Sequence, residues 1–325
     1  MSLDMPKFSD LDALYSPDAK VATSMYEDPE LFKLEMDKIF RNTWVWVAHD
    51  SEFPEKGSFK LSHVGLEPVI VVRDRKGVIH VMLNRCRHRA ATVCEVKKGK
   101  TSSFQCPYHG WLFRTDGVCS KIPSLVEEQG MDVERIRVRR FPVQESQGLV
   151  FVWMASDPRS EAVPDHAPQI FPGVVGGKPK LIDRMVFDVH VDHAVVGLMD
   201  PAHGPYVHAQ WWWRSAKSQH AKAKLFAPRE AGFAMVRHEP SKNSRAYAIL
   251  GGEPLTEITF RLPGLRWEHI TVGKRQVLSL TCLTPMSETK TRITQIVWSD
   301  HPIFGLIAPF FAAGARAFLR QDGDM

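Results

Sequence analysis

The sequence contains no apolar segment long enough to span a membrane as a helix. Its longest apolar run, residues 302–315, is interrupted by Pro309 and followed by Arg316. The opening stretch, MSLDMPKFSDLDALYSPD, carries acidic side chains and lacks the apolar core of a secretory signal. Cysteine is scarce, with five residues, and without an exported context clustered cysteines indicate metal binding or catalysis rather than disulfides. We therefore expect a cytoplasmic protein that does not enter the membrane.

Two further absences limit the function. No Gly-x-Gly-x-x-Gly motif follows a strand-like segment, so the chain has no signature of a nicotinamide or flavin site. The formal net charge is +5, but the basic residues are scattered, which argues against a nucleic-acid-binding surface. The densest basic cluster, Lys97, Lys98 and Lys100, lies in a predicted loop that is either a solvated turn or a patch for an acidic protein partner.

The pattern along the chain predicts an α+β fold with two domains. Residues 1–45 include a helical apolar pattern, which we interpret as an N-terminal segment that packs on the second domain. Residues 46–155 contain many short alternating runs between Gly, Pro and Asp turns, as is typical of a compact antiparallel β domain. Prolines are frequent across residues 156–182, which we interpret as a linker. Residues 183–325 would form the larger second domain.

The second domain begins with a strand-like segment that runs into a helical one, LIDRMVFDVHVDHAVVGLMDPAHGPYVH. Six further strand candidates follow: AMVRHEP, AYAILGG, TEITFRL, RWEHITVG, QVLSLTCLTPM and TRITQIVWS. The last apolar segment, FGLIAPFFAAGARAFLRQDGDM, is predicted to be helical except at Pro309.

Four potential metal ligands lie in two short pairs, Cys86 with His88 and Cys106 with His109, separated by 17 residues. Both pairs follow strand-like segments, so we expect them on loops at one end of the β domain. Structural zinc would accept two thiolates and two imidazoles, but zinc fingers usually take both cysteines from one loop and both histidines from a helix. Here each loop supplies one of each, which suits a [2Fe–2S] cluster with one iron on the cysteines and the other on the histidines.

The second of these loops, CPYHGW, resembles the loop of Rieske proteins. Pro107 and Gly110 can turn the chain tightly, and Trp111 can shield a cluster. Tyr108 stands where respiratory Rieske proteins carry an additional, disulfide-forming cysteine. The form without that disulfide is typical of ring-hydroxylating oxygenases and their ferredoxins. The remaining cysteines have no ligand pattern, and we predict that they are buried structural thiols: Cys94, Cys119 and Cys282.

A second histidine pair, His203 and His208, lies in the stretch DPAHGPYVH. Gly204 and Pro205 disfavour a continuous helix between them, and a turn there can bring both imidazoles to one metal. Two neutral histidines and one carboxylate form a facial triad, which leaves positions of an Fe(II) open for O2 and substrate. The spacing alone is a weak signal, but here it follows a Rieske-like motif and Asp200.

With both motifs present, the chain resembles, over nearly its whole length, the catalytic α subunit of Rieske non-heme iron oxygenases. This family contains aromatic-ring hydroxylases and oxidative demethylases. The resemblance implies a small antiparallel β Rieske [2Fe–2S] domain followed by a larger catalytic domain, whose antiparallel sheet is covered by helices in a helix-grip arrangement. It also implies that His203 and His208 bind a mononuclear Fe(II) together with an aspartate of FLRQDGDM. Asp322 is the first choice for that ligand and Asp324 the second.

The resemblance further implies that Asp200 carries an electron from His109 of a neighbouring subunit to His203, within a head-to-tail homotrimer. The sequence departs from the family in two places. Val196 and Gly197 stand where many members have Glu-Asn. The sequence also ends at Met325, where the family's last helix continues, which leaves the packing of the third iron ligand open.

The implied function is that of a terminal oxygenase component, which uses O2 to hydroxylate or oxidatively demethylate an aromatic or related hydrophobic compound. Electrons would come from NAD(P)H through a separate reductase or ferredoxin, and neither nucleic acid nor a membrane is an expected partner. The sequence does not specify the substrate. The adjacent tryptophans at 211–213 are either pocket wall or core, and an acidic substrate would need a cation such as Arg214, Arg237 or Arg261.

Three alternatives stay open. A cis-dihydroxylating dioxygenase α subunit would share both metal sites. A Rieske electron carrier would not need Asp200, His203, His208 or the second domain, and it would not consume oxygen. A zinc-stapled small-molecule-binding protein would be colourless and would contain zinc.

Overall fold

Four antiparallel β-sheets and six α-helices make up the part of the chain described by the structure, a computed structural model. The described residues are 22–155, 157, 160, 162–173, 176–208, 224–240 and 245–323. None of the helices in these ranges is both long enough and apolar enough to cross a membrane.

Two helices precede the first strand, α1 (Ser24–Glu27) and α2 (Pro29–Lys38). Asp28 caps α2, because its carboxylate accepts hydrogen bonds from the backbone amides of Glu30 and Leu31. A proline at the first helical position fits this start, since no N–H is needed there. The apolar face of α2 buries Leu31, Phe32 and Met36.

The first half of the chain forms three small sheets. Their strand orders are β1-β11-β10, β5-β2-β3-β4-β9 and β6-β7-β8. The strands are β1 (Trp44–His49), β2 (Ser58–Val64), β3 (Glu67–Arg73), β4 (Ile79–Leu83), β5 (Lys98–Lys100), β6 (Ser103–Gln105), β7 (Leu112–Arg114), β8 (Cys119–Lys121), β9 (Arg140–Phe141), β10 (Val143–Ser146) and β11 (Leu149–Trp153).

Strand β1 lies between the two halves of the molecule, and all of its residues are buried. Val45 and Val47 face an apolar cluster that includes α2 and helices of the second half. Trp44 and Trp46 face another cluster, which includes Trp298 of the large sheet. A strand that is buried on both faces has a continuous apolar sequence, which explains the run TWVWVA.

The second half is built on one seven-stranded sheet with the order β12-β18-β17-β16-β15-β14-β13. Strands β13 to β18 pair in sequence order, and β12 adds to the edge beside β18. The elements are β12 (Leu181–Phe187), α3 (Val191–Met199), α4 (Gly204–Val207), β13 (Phe226–Arg229), β14 (Gly232–His238), α5 (Arg245–Ala248), β15 (Leu255–Arg261), β16 (Leu265–Val272), β17 (Arg275–Ser287), β18 (Lys290–Ser299) and α6 (Ile303–Gly323).

The two faces of this sheet pack against different partners, because side chains alternate along each strand. On one face, Phe260, Leu283 and Ile293 join a cluster with Met199 of α3 and Leu319 of α6. We call this the helix-covered face. The opposite face packs against the tryptophans of β1. A small antiparallel β domain followed by a larger antiparallel sheet covered by helices confirms the predicted α+β fold.

The predicted break at Pro309 is wrong, since α6 continues through it as a helix of 21 residues. A proline inside a helix removes one main-chain hydrogen bond. Helix α6 is held near both ends by the buried side chains of Phe304 and Leu319, and this packing outweighs the lost bond.

Two further local predictions are wrong. The segment AYAILGG is not a strand, because Arg245–Ala248 form α5. The hydroxyl of Tyr247 in this helix donates to Glu268 of the sheet, a contact that the local sequence does not contain. The basic segment predicted as a loop contains strand β5, in which Lys98 and Lys100 pair with the edge of β2.

Candidate metal centres

The first predicted ligand pair lies on a tight loop that follows β4. The backbone amide of Cys86 donates to the carbonyl of Ala91 at 2.8 Å, and that of Ala90 donates to the carbonyl of Cys86 at 2.9 Å. Ala90 adopts a φ of 57°, in the left-handed region. His88 lies within the turn that these two bonds close.

The second pair lies on a loop with the same backbone hydrogen bonds. The amide of Cys106 donates to the carbonyl of Trp111 at 2.8 Å, and that of Gly110 donates to the carbonyl of Cys106 at 3.0 Å. Gly110 has a φ of 71° and occupies the position that Ala90 has in the first loop. The equivalence was hidden in the sequence, because only the second loop has the expected glycine.

The two loops bring their side chains together. The Nδ1 atoms of His88 and His109 are 3.1 Å apart, and Trp111 stacks on His88 with 4.9 Å between the ring centroids. Cys86 and Cys106 are 5% and 1% exposed, whereas both histidines are exposed. A cluster held by these four residues would therefore have its cysteine side in the core and its histidine edge at the surface.

The surroundings shift the pKa of one ligand in the first loop upward and that of the other downward. Burial raises the pKa of the Cys86 thiol, the backbone amide of His88 lowers it, and the adjacent Cys106 raises it further. Desolvation, together with the charges of His109 and Arg89, lowers the pKa of His88. A neutral imidazole is the form that binds a metal, so His88 is prepared for that role, whereas the thiol protons must be displaced by the metal.

The second predicted site is a triangle of three ligand atoms. Nε2 of His203 and Nε2 of His208 are 3.2 Å apart. Oδ1 of Asp322 lies 3.5 Å from the first nitrogen and 3.2 Å from the second. Among the described residues, these three side chains form the group with the spacing of a metal site. The alternative ligand, Asp324, lies outside the described residues.

Three elements position this triangle. Helix α3 ends at Met199, and His203 follows a short bend immediately before α4. His208 directly follows α4, so a single helical turn directs both imidazoles to one point. Asp322 comes from the last turn of α6, far along the chain, and the buried contacts of Leu319 fix that turn on the sheet.

Two side chains beside this site were not predicted from the sequence. Phe318 stacks on His208 with 3.5 Å between the ring centroids, and Oε1 of Gln321 lies 3.4 Å from Nδ1 of His208. His208 is 2% exposed as a result. The sequence contained one usable signal, since Phe318 lies four residues before Asp322 and therefore on the same side of a helix.

These donors fit iron in their chemistry and spacing. Atoms that each lie about 2.1 Å from an ion, on one face of an octahedron, are separated by about 3 Å. The measured separations of 3.2 to 3.5 Å are close to that value. Two imidazoles and one carboxylate are the donor set of the non-heme iron facial triad. No fourth His, Cys, Asp or Glu joins this group in the described ranges.

Asp200 lies next to the triangle but is not part of it. Its Oδ2 is 3.8 Å from Nδ1 of His203, while its Oδ1 accepts a hydrogen bond from the amide of Ala202 at 2.7 Å. That Nδ1 is buried and has no hydrogen-bond partner among the described residues. Within one chain, Asp200 and His109 make no hydrogen bond in the described ranges. The predicted link between subunits stays a prediction.

Several secondary predictions can also be located. Cys119 and Cys282 are buried as predicted, but Cys94 is partly exposed, because it follows the first loop at the surface. Arg237 and Arg261 project from the sheet face opposite the helices, where they contact Thr271 and Glu230 rather than a pocket near the triangle. The tryptophans at 211–213 and Arg214 lie outside the described residues.

Comparison with known families identifies the first of these sites. The Rieske [2Fe–2S] domain family matches residues 43–142, which include both loops. The chain contains a Rieske domain and is homologous to the α subunits of Rieske oxygenases. The [2Fe–2S] cluster is therefore the group that Cys86, Cys106, His88 and His109 suit, rather than zinc.

Two relatives illustrate the homology. N,N-dimethyl phenylurea N-demethylase subunit alpha of Sphingobium sp. (strain YBL2) is 42% identical over 134 residues, which are 40% of this chain and 29% of that protein. The large subunit of anthranilate 1,2-dioxygenase from Acinetobacter baylyi is 38% identical over 134 residues, 41% of this chain and 28% of that protein. The similarity thus spans less than a third of each relative.

Solved structures extend the likeness to both halves of the chain. The quaternary ammonium Rieske monooxygenase CntA superposes with a TM-score of 0.67 at 18% identity, covering 93% of this chain and 81% of CntA. The seven-stranded sheet with its helices therefore has the fold of a Rieske oxygenase catalytic domain.

Proposed function

We propose that this chain is the terminal oxygenase component of a multicomponent Rieske system, which hydroxylates or oxidatively demethylates an aromatic or related hydrophobic compound. The observation that carries the proposal is the triangle of His203, His208 and Asp322 in a chain that also contains a Rieske domain. An electron carrier would use only the cluster. Fe(II) bound by the triangle would supply open coordination positions for O2 and one of the electrons that its reduction requires.

One residue beside the triangle would help to orient an imidazole. With its Nε2 directed to the metal, His208 would donate its Nδ1 proton to Oε1 of Gln321, which lies 3.4 Å away. This contact would hold the ring of His208 in the ligating tautomer, whereas Nδ1 of His203 is 3.8 Å from Oδ2 of Asp200, beyond hydrogen-bond distance. The ring of Phe318 covers one side of His208 and excludes water there.

Electron transfer between subunits is part of the proposal. The exposed edge formed by His88 and His109 and the 40% exposed side chain of Asp200 are both accessible to another copy of the chain. We propose a head-to-tail homotrimer, in which Asp200 of one copy contacts His109 of the next. Sedimentation equilibrium of the holoprotein tests the assembly, and a monomer at micromolar concentration would contradict it.

The electron donor in this proposal is a separate ferredoxin or NAD(P)H-dependent reductase in the cytoplasm. Exposed lysines at 97, 98 and 100 form a basic edge in the same domain as the cluster, which suits an acidic protein. Lys100 also pairs with Glu55, so part of that charge is already balanced.

The proposal is tested by reconstitution with a ferredoxin and its reductase, with O2 uptake and products measured over a panel of aromatic compounds. N,N-dimethyl phenylurea and anthranilate, named by the relatives, are the first compounds to include. Formaldehyde release would indicate demethylation, and a diol would indicate dihydroxylation. The variant Asp322→Ala should lose product formation and keep the visible spectrum of the cluster. The matched control is Arg320→Ala, an exposed change on the same helix turn. Equal activity of the two variants would contradict the proposed site.

A further inference from the structure

A row of polar side chains crosses the helix-covered face of the large sheet. Arg266 of β16 is opposite Thr281 of β17, which is opposite Gln295 of β18. Arg266 lies four residues from Ile270 on one strand, so both side chains lie on the same face. Ile270 belongs to an apolar cluster with Phe304 at the start of α6. The polar row thus runs between that cluster and the one beneath α3.

The guanidinium of Arg266 is poorly satisfied for so sheltered a group. Its side chain is 14% exposed, and its Nε is buried without a hydrogen-bond partner among the described residues. Its neighbour Glu268 is 3.7 Å away, beyond hydrogen-bond distance. Glu268 itself accepts hydrogen bonds from Tyr247 and Thr256. A buried donor without a partner costs stability, so its retention calls for a functional or structural explanation.

Gln295 presents the complementary atom. Its Nε2 donates to the hydroxyl of Ser279 at 3.1 Å, while its Oε1 is buried and has no partner in the described part of the chain. One strand separates Gln295 from Arg266, so their Cα atoms are about 10 Å apart and both long side chains extend from the same face. The row therefore offers one unused donor and one unused acceptor.

We propose that Arg266 and Gln295 bind a neutral carboxamide or urea group of the substrate. The carbonyl oxygen of that group would accept from Arg266, and its N–H would donate to Gln295. A carboxylate fits less well, because Glu268 already balances the charge of Arg266 and a second anion would be repelled in this poorly hydrated place. It would also leave the oxygen of Gln295 without a donor.

The position of the row connects this inference to the proposed function, on which it rests. Phe260 is opposite Arg266 on the neighbouring strand. Phe260 packs in one cluster with Met199 and Leu319, which lie close in sequence to Asp200 and Asp322, respectively. Helix α6, which carries Asp322, reaches the row at its other end, where Arg316 pairs with Asp183, the residue opposite Gln295. A polar group held between Arg266 and Gln295 would thus lie on the same sheet face as the candidate iron ligands.

The test compares three probes of nearly equal shape, benzamide, acetophenone and benzoate, by equilibrium dialysis against the full-chain holoprotein without turnover. Benzamide should bind about tenfold more tightly than either of the others, because only benzamide offers a neutral acceptor together with a donor. Arg266→Met should weaken benzamide binding about tenfold, and Gln295→Leu should remove most of its advantage over acetophenone. Arg237→Met, a cation on the opposite face, should change nothing and is the matched control.

Each other outcome overturns the inference. Tighter binding of benzoate would identify an anion site, and equal binding of all three probes, or of none, would remove the recognition role. A preference for benzamide that survives Gln295→Leu would also contradict it, even if Arg266→Met fails to fold. The visible spectrum of the cluster serves as the folding control. Failure of the proposed function would appear separately, as lost iron or O2 uptake with the binding preference intact.

Discussion

Gly110 and Ala90 occupy equivalent positions in the two ligand loops of the Rieske domain, so substitutions at both residues can be compared. Gly110 has a φ of 71°, and a Cβ placed on it would lie 3.0 Å from Cγ of Pro123 and 3.4 Å from Nε2 of Gln105. An alanine costs about 1–2 kcal/mol in the left-handed region. The close contact with a rigid proline ring adds to this cost, and the lower entropy of the unfolded alanine chain offsets about 0.5–1 kcal/mol of it. We expect Gly110→Ala to destabilise the domain by about 1–3 kcal/mol and to reduce cluster content.

The reverse change at the equivalent position is the matched control. Ala90 already adopts the left-handed conformation, with a φ of 57°, so Ala90→Gly should change stability by no more than about 1 kcal/mol and should retain the cluster. Urea unfolding followed by visible absorbance, together with sulfide analysis, measures both variants. If Gly110→Ala is as stable as the wild type while Ala90→Gly loses the cluster, the equivalence of the two loops is refuted.

Two further predictions concern groups outside the cluster. Burial, and then the carboxylate of Asp192, raises the pKa of Glu35 to about 8. The contribution of Glu35 to the free energy of unfolding is therefore fully present below the unfolded pKa of about 4.5 and is lost as the pH rises through about 8. After allowance for solvent screening, Glu35→Gln should remove on the order of 1–2 kcal/mol of this pH dependence. A wild-type free energy of unfolding that is flat from pH 5 to 9 would contradict the prediction. Asp200→Asn should keep both metals, because the carboxylate is outside the ligand triangle, and should slow reoxidation of the reduced cluster by about 10- to 100-fold in single-turnover mixing with O2 and substrate; loss of iron in this variant would instead indicate a role in metal binding.

The ligand pairs could be predicted from the sequence because their spacing is local. Cys86 and His88, like Cys106 and His109, are brought together by loops of a few residues, and the loop chemistry is visible in the sequence. The spacing of His203 and His208 is also local, since one helical turn separates the two residues. Asp322 was identified only by resemblance, because α6 meets this turn through long-range packing.

Features that depend on strand register could not be predicted. Arg266 and Gln295 are aligned, with one strand between them, by the pairing of three strands, and no local sequence pattern encodes this alignment. The helical conformation of Arg245–Ala248 depends on packing over the sheet, where Tyr247 contacts Glu268. The continuity of α6 likewise depends on tertiary packing that outweighs a proline.

The central claim is that one chain holds both a Rieske cluster and a mononuclear iron. Anaerobic iron, zinc and sulfide analysis of the wild type and His203→Ala, with visible spectra, tests it most directly. The account predicts about three irons and about two sulfides per wild-type chain, and about two irons in the variant with an unchanged spectrum. About two irons in both proteins would contradict the mononuclear site, and zinc without sulfide would contradict the cluster as well.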